Sequence, residues 1–272
     1  MSHIHIPDGV LPVWLWATGW MAALALVWIA SAVAKRTDIR RKVPLLGVVA
    51  ALVLVSMSSE IVPIAYHVNL TVVAGVLLGP WLGIITAFIV EVVLALLGHG
   101  GVTVIGLNTL MIGGEMVLGW ALFRLAVRAL GRPRVRWATV AATILTLAVT
   151  TTALVGVVAL AGGGSAATRE TGALDPASLQ FADPFGGGVF SINTMRGEVG
   201  AAPVAGEAPA PGLSVARFAA VVYTLGPIGW LLEALIQAAI LGYVARVRPG
   251  LVFAGALAES GRSLPSHEGG QH

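Results

Sequence analysis

Residues 69–98 read NLTVVAGVLLGPWLGIITAFIVEVVLALLG. This run is too apolar to face water. It is also too long for one bilayer crossing, because a hydrocarbon core of about 30 Å takes about 20 helical residues. It is broken at Gly79-Pro80. Proline lacks a backbone donor and clashes with the preceding turn, so a helix ends in front of it. The run therefore divides into a short element, 69–79, and a longer one, 81–98.

Working outward, further apolar segments cover 11–34, 44–62, 102–128, 136–162 and 215–245. Loop charges test the division. Lys35, Arg36, Arg40, Arg41 and Lys42 form one basic cluster; Arg124, Arg128, Arg132, Arg134 and Arg136 form a second; Arg246 and Arg248 a third. Such clusters mark cytoplasmic loops. Segment 11–34 runs into the first cluster, so the N-terminus lies outside. Segment 44–62 returns outward. Segment 102–128 ends inside and so begins outside. The stretch between must cross twice, which only a break near Gly79-Pro80 allows. The expectation is an all-α polytopic membrane protein of about seven membrane helices, N-terminus outside and C-terminus cytoplasmic. Element 69–79 is too short to span without protein packing around it.

One membrane domain, 1–162 with 214–250, is expected. Residues 163–213, rich in Gly, Pro, Ala and Ser, read as an extracytoplasmic flexible insertion loop. Residues 251–272 read as a disordered polar tail. MSHIHIPDG has no basic segment before its apolar run, so it is not read as a cleaved signal. Ala30 and Ala34 are spaced for close helix packing, a pairing common by chance in so Ala-rich a chain.

Composition agrees. Mean hydropathy is +0.90, and charged residues are 11% of the 272, against about 25% in a soluble domain. Lipid is the solvent for much of this chain. The pI of 9.8 accompanies a net charge of only +3, and the basic residues sit in short clusters without an extended groove. Nucleic-acid binding is excluded on that ground. There are no cysteines, which removes disulfides, thiolate metal sites and cysteine nucleophiles. No Walker A sequence, HExxH or serine elbow occurs, so this chain hydrolyses no ATP and no organic cofactor is expected.

Of six histidines, His267 and His272 lie in the tail and carry no assigned role. His3, His5, His67 and His99 all map to the outer side. Neutral imidazole suits nickel, cobalt, copper and zinc. An α-amine near a histidine adds a donor whose proton a metal displaces readily. Each has a plainer reading when taken alone. His3 and His5 are then a solvated end, His67 an interfacial histidine, and His99 a turn residue between glycines. Asn69 is placed to orient His67, and Asn108 lies inside a membrane helix where an amide needs partners. Glu60, Glu91, Glu115 and Glu233 lie in or near apolar segments, where carboxylates default to function or internal pairing. Spacing links them into no relay.

HIPDG at 5–9, HVNLTVVAGVLLGPWLG at 67–83, LLGHGGVTVIGLNTL at 96–110 and GPIGWLLEALIQAAILGYVARVRPGL at 226–251 resemble the CbiM/NikM family. These are substrate-binding S-components of cobalt and nickel energy-coupling-factor transporters. The resemblance covers most of 1–160 and 215–251, but not 163–213. It implies a seven-helix S-component in a bacterial or archaeal inner membrane. Its partners would be a transmembrane coupling protein, two cytoplasmic ATPases and, in some systems, a small accessory membrane subunit. It implies cobalt(II) or nickel(II) as the transported substrate. The ion would be held near the outer surface by the N-terminal amine, backbone nitrogen and side chain of an N-terminal histidine, with His67.

The family usually begins Met-His-Ile, and this chain begins MSHIHIPDG. Aligned on IPDG, His5 takes the histidine's place. Counted from the amine, His3 does, with Ser2 as the first residue if Met1 is removed. If Met1 stays, Met1-Ser2-His3 offers an amine, two amides and an imidazole. The candidate metal set is therefore Met1, Ser2, His3, His5 and His67, with Asn69, His99 and Asn108 as supporting or pathway candidates. Two rivals stand beside this reading: a stand-alone proton-coupled metal transporter, and a metal-sensing membrane protein that transports nothing.

Overall fold

The structure is a computed structural model and describes residues 13–35, 42–58, 60–61, 66–97, 101–160 and 215–253. Among these residues are seven α-helices of eight residues or more. They are α1 (Val13–Ala34), α2 (Val43–Ser58), α3 (Thr71–Leu78), α4 (Pro80–Leu96), α5 (Ile105–Leu130), α6 (Val135–Leu160) and α7 (Val215–Val247). Stretches within α1, α5, α6 and α7 are long and apolar enough to cross a membrane, and α2 and α4 are shorter apolar helices. Large apolar side chains such as Trp28, Val55, Leu145 and Leu235 face outward, while Asn69, Glu91, Glu115, Glu233 and Gln237 are buried. A water-soluble protein is built the other way round. The described elements are helical apart from one two-residue ladder, and the chain is a multi-pass membrane protein.

The break at Gly79-Pro80 falls where the sequence places it. Gly79 has φ of +80°, a backbone region that side chains avoid. Pro80 opens α4 at its first turn, where its missing N–H costs nothing.

Two boundaries differ from expectation. Segment 44–62 stops being helical at Ser58; Glu60–Ile61 instead pair antiparallel with Tyr66–His67 in a two-residue ladder, Glu60 opposite His67. At the other end, residues 249–253 form a further helical turn. Val252 and Phe253 are buried, and the Arg132 guanidinium lies over the Phe253 ring, 5.4 Å from its centroid, within cation–π range. The packed chain thus runs past residue 250, the limit expected from the sequence.

Successive long helices alternate in direction. Ala34, Val49, Leu78 and Leu82 share one apolar cluster, and Phe123, Val135, Leu241 and Phe253 another. The second cluster gathers the α5–α6 turn and the end of α7 at one end, where a methyl on Gly242 would meet the Arg136 side chain. Gly83 lies against Met116 and Gly113 against Ile84 and Ala87, so α4 runs opposite to α5 and starts toward that end. Gly19 and Trp20 lie against Leu107 and Thr103 at the start of α5, so α1 ends toward it and α2 begins there. Lys35, Lys42, Arg124, Arg128, Arg132, Arg134, Arg136, Arg246 and Arg248 belong to that end; of the described basic residues only Arg217 does not. At the opposite end Leu15, Val104, Leu107, Leu154 and Val222 pack together. There Trp20 Nε1 donates to the Thr103 carbonyl at 2.7 Å and its ring meets Phe88 edge-on.

Helix α5 is the centre of the bundle because its glycines admit neighbouring backbones. A methyl at Gly106 would stand 2.5 Å from Trp20 Cα, and one at Gly119 2.7 Å from Val72 Cγ2. On α3, a methyl at Gly75 would collide with the Met116 carbonyl oxygen of α5. In lipid, such close approach supplies the packing energy that the hydrophobic effect supplies in water. Gly75→Ala is therefore expected to lower the thermal unfolding midpoint in detergent. The overpacking cost is about 1–3 kcal/mol or more and exceeds a helix-propensity gain of about 1 kcal/mol. Gly47→Ala, with open space around it, is expected to leave the midpoint unchanged or raised.

Candidate functional site

Helix α3 begins inside the bundle. It is eight residues long, about 12 Å. Thr71 meets Glu115, ten residues into α5, which also meets Thr150, fifteen residues into α6, so the helix starts near mid-bundle; Val72 against Gly119 and Gly75 against Met116 show that it lies across α5. A helix start exposes N–H groups that the helix itself cannot satisfy, and no water replaces those partners inside a membrane.

The sequence supplies them from two directions. Asn69 Oδ1 accepts from the Thr71 N–H at 2.8 Å, and Gln237 Oε1 of α7 accepts from the Val73 N–H at 3.0 Å. The capping residue Leu70 offers no side-chain hydrogen bond. Its carbonyl oxygen accepts from Ala74 N–H.

Glu115 of α5 stands at the same level. Both of its oxygens are acceptors. Asn69 Nδ2 donates to Oε2 at 2.7 Å, Thr71 Oγ1 donates to Oε2 at 2.9 Å, and Thr150 Oγ1 of α6 donates to Oε1 at 2.8 Å. Asn69, Thr71, Glu115 and Thr150 are all buried. The positive end of the α3 dipole also favours a carboxylate here. One carboxyl group thus ties the approach to α3, the start of α3, α5 and α6 together. Asn69, Thr71 and Thr150 donate to it, an arrangement that suits a carboxylate.

The sequence suggests Asn69 as an orienting partner of His67. In the structure its amide bridges the Thr71 N–H and Glu115. His67 itself is held through its backbone pairing with Glu60. Asn108 is buried at 6% exposure near the start of α5. Met1, Ser2, His3, His5 and His99 lie outside the described residues. Among the described residues, no three His, Cys, Asp or Glu side chains come together as a metal-holding group.

Sequence reasoning missed Thr71, Thr150 and Gln237. A signal for one face was present. Thr139, Thr143, Thr146 and Thr150 recur at spacings of four, three and four along α6, and all are buried. Thr143 Oγ1, Thr146 Oγ1 and Gln237 Nε2 have no hydrogen-bond partner among the described residues. Gln237 is thus needed for its oxygen alone. Gln237→Leu strands the Val73 N–H and is expected to cost about 1–3 kcal/mol, seen as a lower unfolding midpoint. Thr143→Val removes a hydroxyl without a partner among those residues and is expected to leave the midpoint unchanged or raised.

Comparison with known proteins places this geometry. The chain is 33% identical over 192 residues to the cobalt transport protein CbiM of Sorangium cellulosum, covering 62% of this chain and 79% of that protein. Two crystal structures of transition-metal transporters share the fold. One, of a truncated protein, has a TM-score of 0.61 at 16% identity, covering 89% of this chain and 98% of that one. The other has a TM-score of 0.60 at 18% identity, covering 89% and 93%. A family model described as the cobalt uptake substrate-specific transmembrane region matches residues 5–251, and the chain belongs to that family, CbiM, as a membrane component of transition-metal uptake.

Proposed function

We propose that this chain is the substrate-binding subunit of an ATP-driven importer and captures cobalt(II) at the end of the bundle opposite the basic cluster. The family match over residues 5–251 carries the reading, because it takes in both HIPDG and the HVN segment. The gathering of nine described basic residues at one end supports an orientation with that end in the cytoplasm. His67, at the other end of α2 from Lys42, would then face outside. Seven membrane elements, with α3 as a half-length member, accommodate this arrangement.

In this reading nitrogen donors hold the ion: the N-terminal amine and backbone with His3 or, in the other register, His5, and His67. Such donors suit cobalt(II) and nickel(II) alike, and the family match favours cobalt(II). With no Walker A sequence in the chain, energy comes from separate ATPases through a transmembrane coupling protein. The site lies in the inner membrane of a bacterial or archaeal cell.

His67→Ala, or one residue added before Ser2, is expected to weaken cobalt(II) binding at least 10–100-fold, since loss of an outer-shell partner alone does that much. Titration calorimetry on the purified protein measures it, and unchanged affinity in both variants sinks the site. Cobalt uptake into proteoliposomes containing the partner subunits is expected to require ATP. Uptake by this chain alone, driven by a proton gradient, would establish the stand-alone transporter instead.

A further inference from the structure

We infer that Glu115 is a positioning residue for metal capture: through Asn69 it sets where the His67 segment sits against the bundle. The inference rests on His67 being a metal ligand, as proposed above. It goes beyond that reading by assigning a role to a buried carboxyl group on another helix.

The segment 66–70 is held at two points. At its start, Tyr66–His67 pair with Glu60–Ile61 beyond the end of α2. At its other end, Asn69 is fixed on both sides of its amide, by the Thr71 N–H and by Glu115 Oε2. Asn69 is two residues from His67, so their Cα atoms are at most about 7 Å apart. A shift of the Asn69 anchor is passed to His67 with little slack. Ladders of two residues are weak constraints alone. The mid-bundle anchor therefore decides much of the segment's position.

Glu115 is the node of that anchor. Its two oxygens take three donors from three places: Asn69 in the segment, Thr71 at the start of α3, and Thr150 on α6. The carboxyl group stands ten residues into α5, from Ile105, about 15 Å along its axis. A second argument comes from its chemistry. Asn69 Nδ2 can only donate, and a carboxylate accepts from it and from both threonine hydroxyls at once. A carboxamide keeps the Asn69 bond only with its oxygen on that side; its NH2 then faces Thr150, whose hydroxyl must turn to the Thr146 carbonyl, 3.1 Å away, in order to accept. The negative charge that strengthens all three bonds is lost as well. Glu115→Gln therefore disturbs the anchor with almost no change in volume.

The experiment uses the full chain in detergent or nanodiscs, with cobalt(II) as the probe. Variants are compared with the unaltered protein by titration calorimetry, with thermal unfolding in the absence of metal alongside. Glu115→Gln is expected to weaken cobalt(II) binding about tenfold or more, in the range that outer-shell partners show. The pair Asn69→Asp with Glu115→Gln re-forms an amide–carboxylate contact with donor and acceptor exchanged, and the carboxylate now at position 69 can still accept from the Thr71 N–H. Its affinity is expected to recover to within about threefold. A role confined to holding the fold would move the unfolding midpoint without this recovery of affinity.

If Glu115→Gln does not fold, Thr150→Val removes one of the three donors and is expected to weaken binding by a smaller factor. Folded Glu115→Gln, or folded Thr150→Val where that variant must stand in, with unaltered cobalt(II) affinity overturns the inference. His67→Ala separates the two levels. If it abolishes binding while Glu115→Gln does not weaken it, only the positioning role fails. If His67→Ala has no effect, the metal-site reading fails and takes this inference with it.

Discussion

A helix that starts in the middle of a membrane bundle must find partners for its first N–H groups, and much of this structure is arranged to provide them. α3 is eight residues long and begins beside Glu115. Neither water nor lipid can serve its N–H groups at that depth. Asn69, on the approach to the helix, and Gln237, from α7, do so. Glu115 then holds Asn69 and Thr71 while accepting from Thr150 on α6. Remove this set and α3 has no stable place to begin.

The same requirement explains the apolar packing around it. α3 can lie against α5 because Gly75 and Gly119 leave room for backbone and for Val72. Close approach is what allows short side chains such as Thr71 and Asn69 to reach Glu115. Small residues and buried polar groups are therefore one device, with each making the other feasible. Lipid-facing positions are filled with large apolar side chains, and the polar groups turn inward.

This arrangement also connects distant parts of the chain. The segment carrying His67 runs from the ladder beyond the end of α2 to the mid-bundle anchor, and α3 lies from that anchor across α5 to Gly79, where α4 begins. A short helix thus links the end of α2 to the centre of the bundle and on to α4.

The sequence alone determined the membrane class, the split at Gly79-Pro80 and the alternation of the helices. These follow from local properties: apolar length, the missing proline N–H and the placement of Lys and Arg. The motifs also carried the resemblance that the family match bears out. Glu115 was legible as a carboxyl group needing an explanation, and Asn69 as a polar residue beside a histidine. Their connection was not legible. The bonds join Asn69 to a residue 46 positions away, Glu115 to one 35 away, and Val73 to one 164 away. No local period encodes such pairings. Only tertiary packing decides which of several buried polar groups meet, because each bond depends on how neighbouring helices approach, which Gly75 and Gly119 set for α3 against α5.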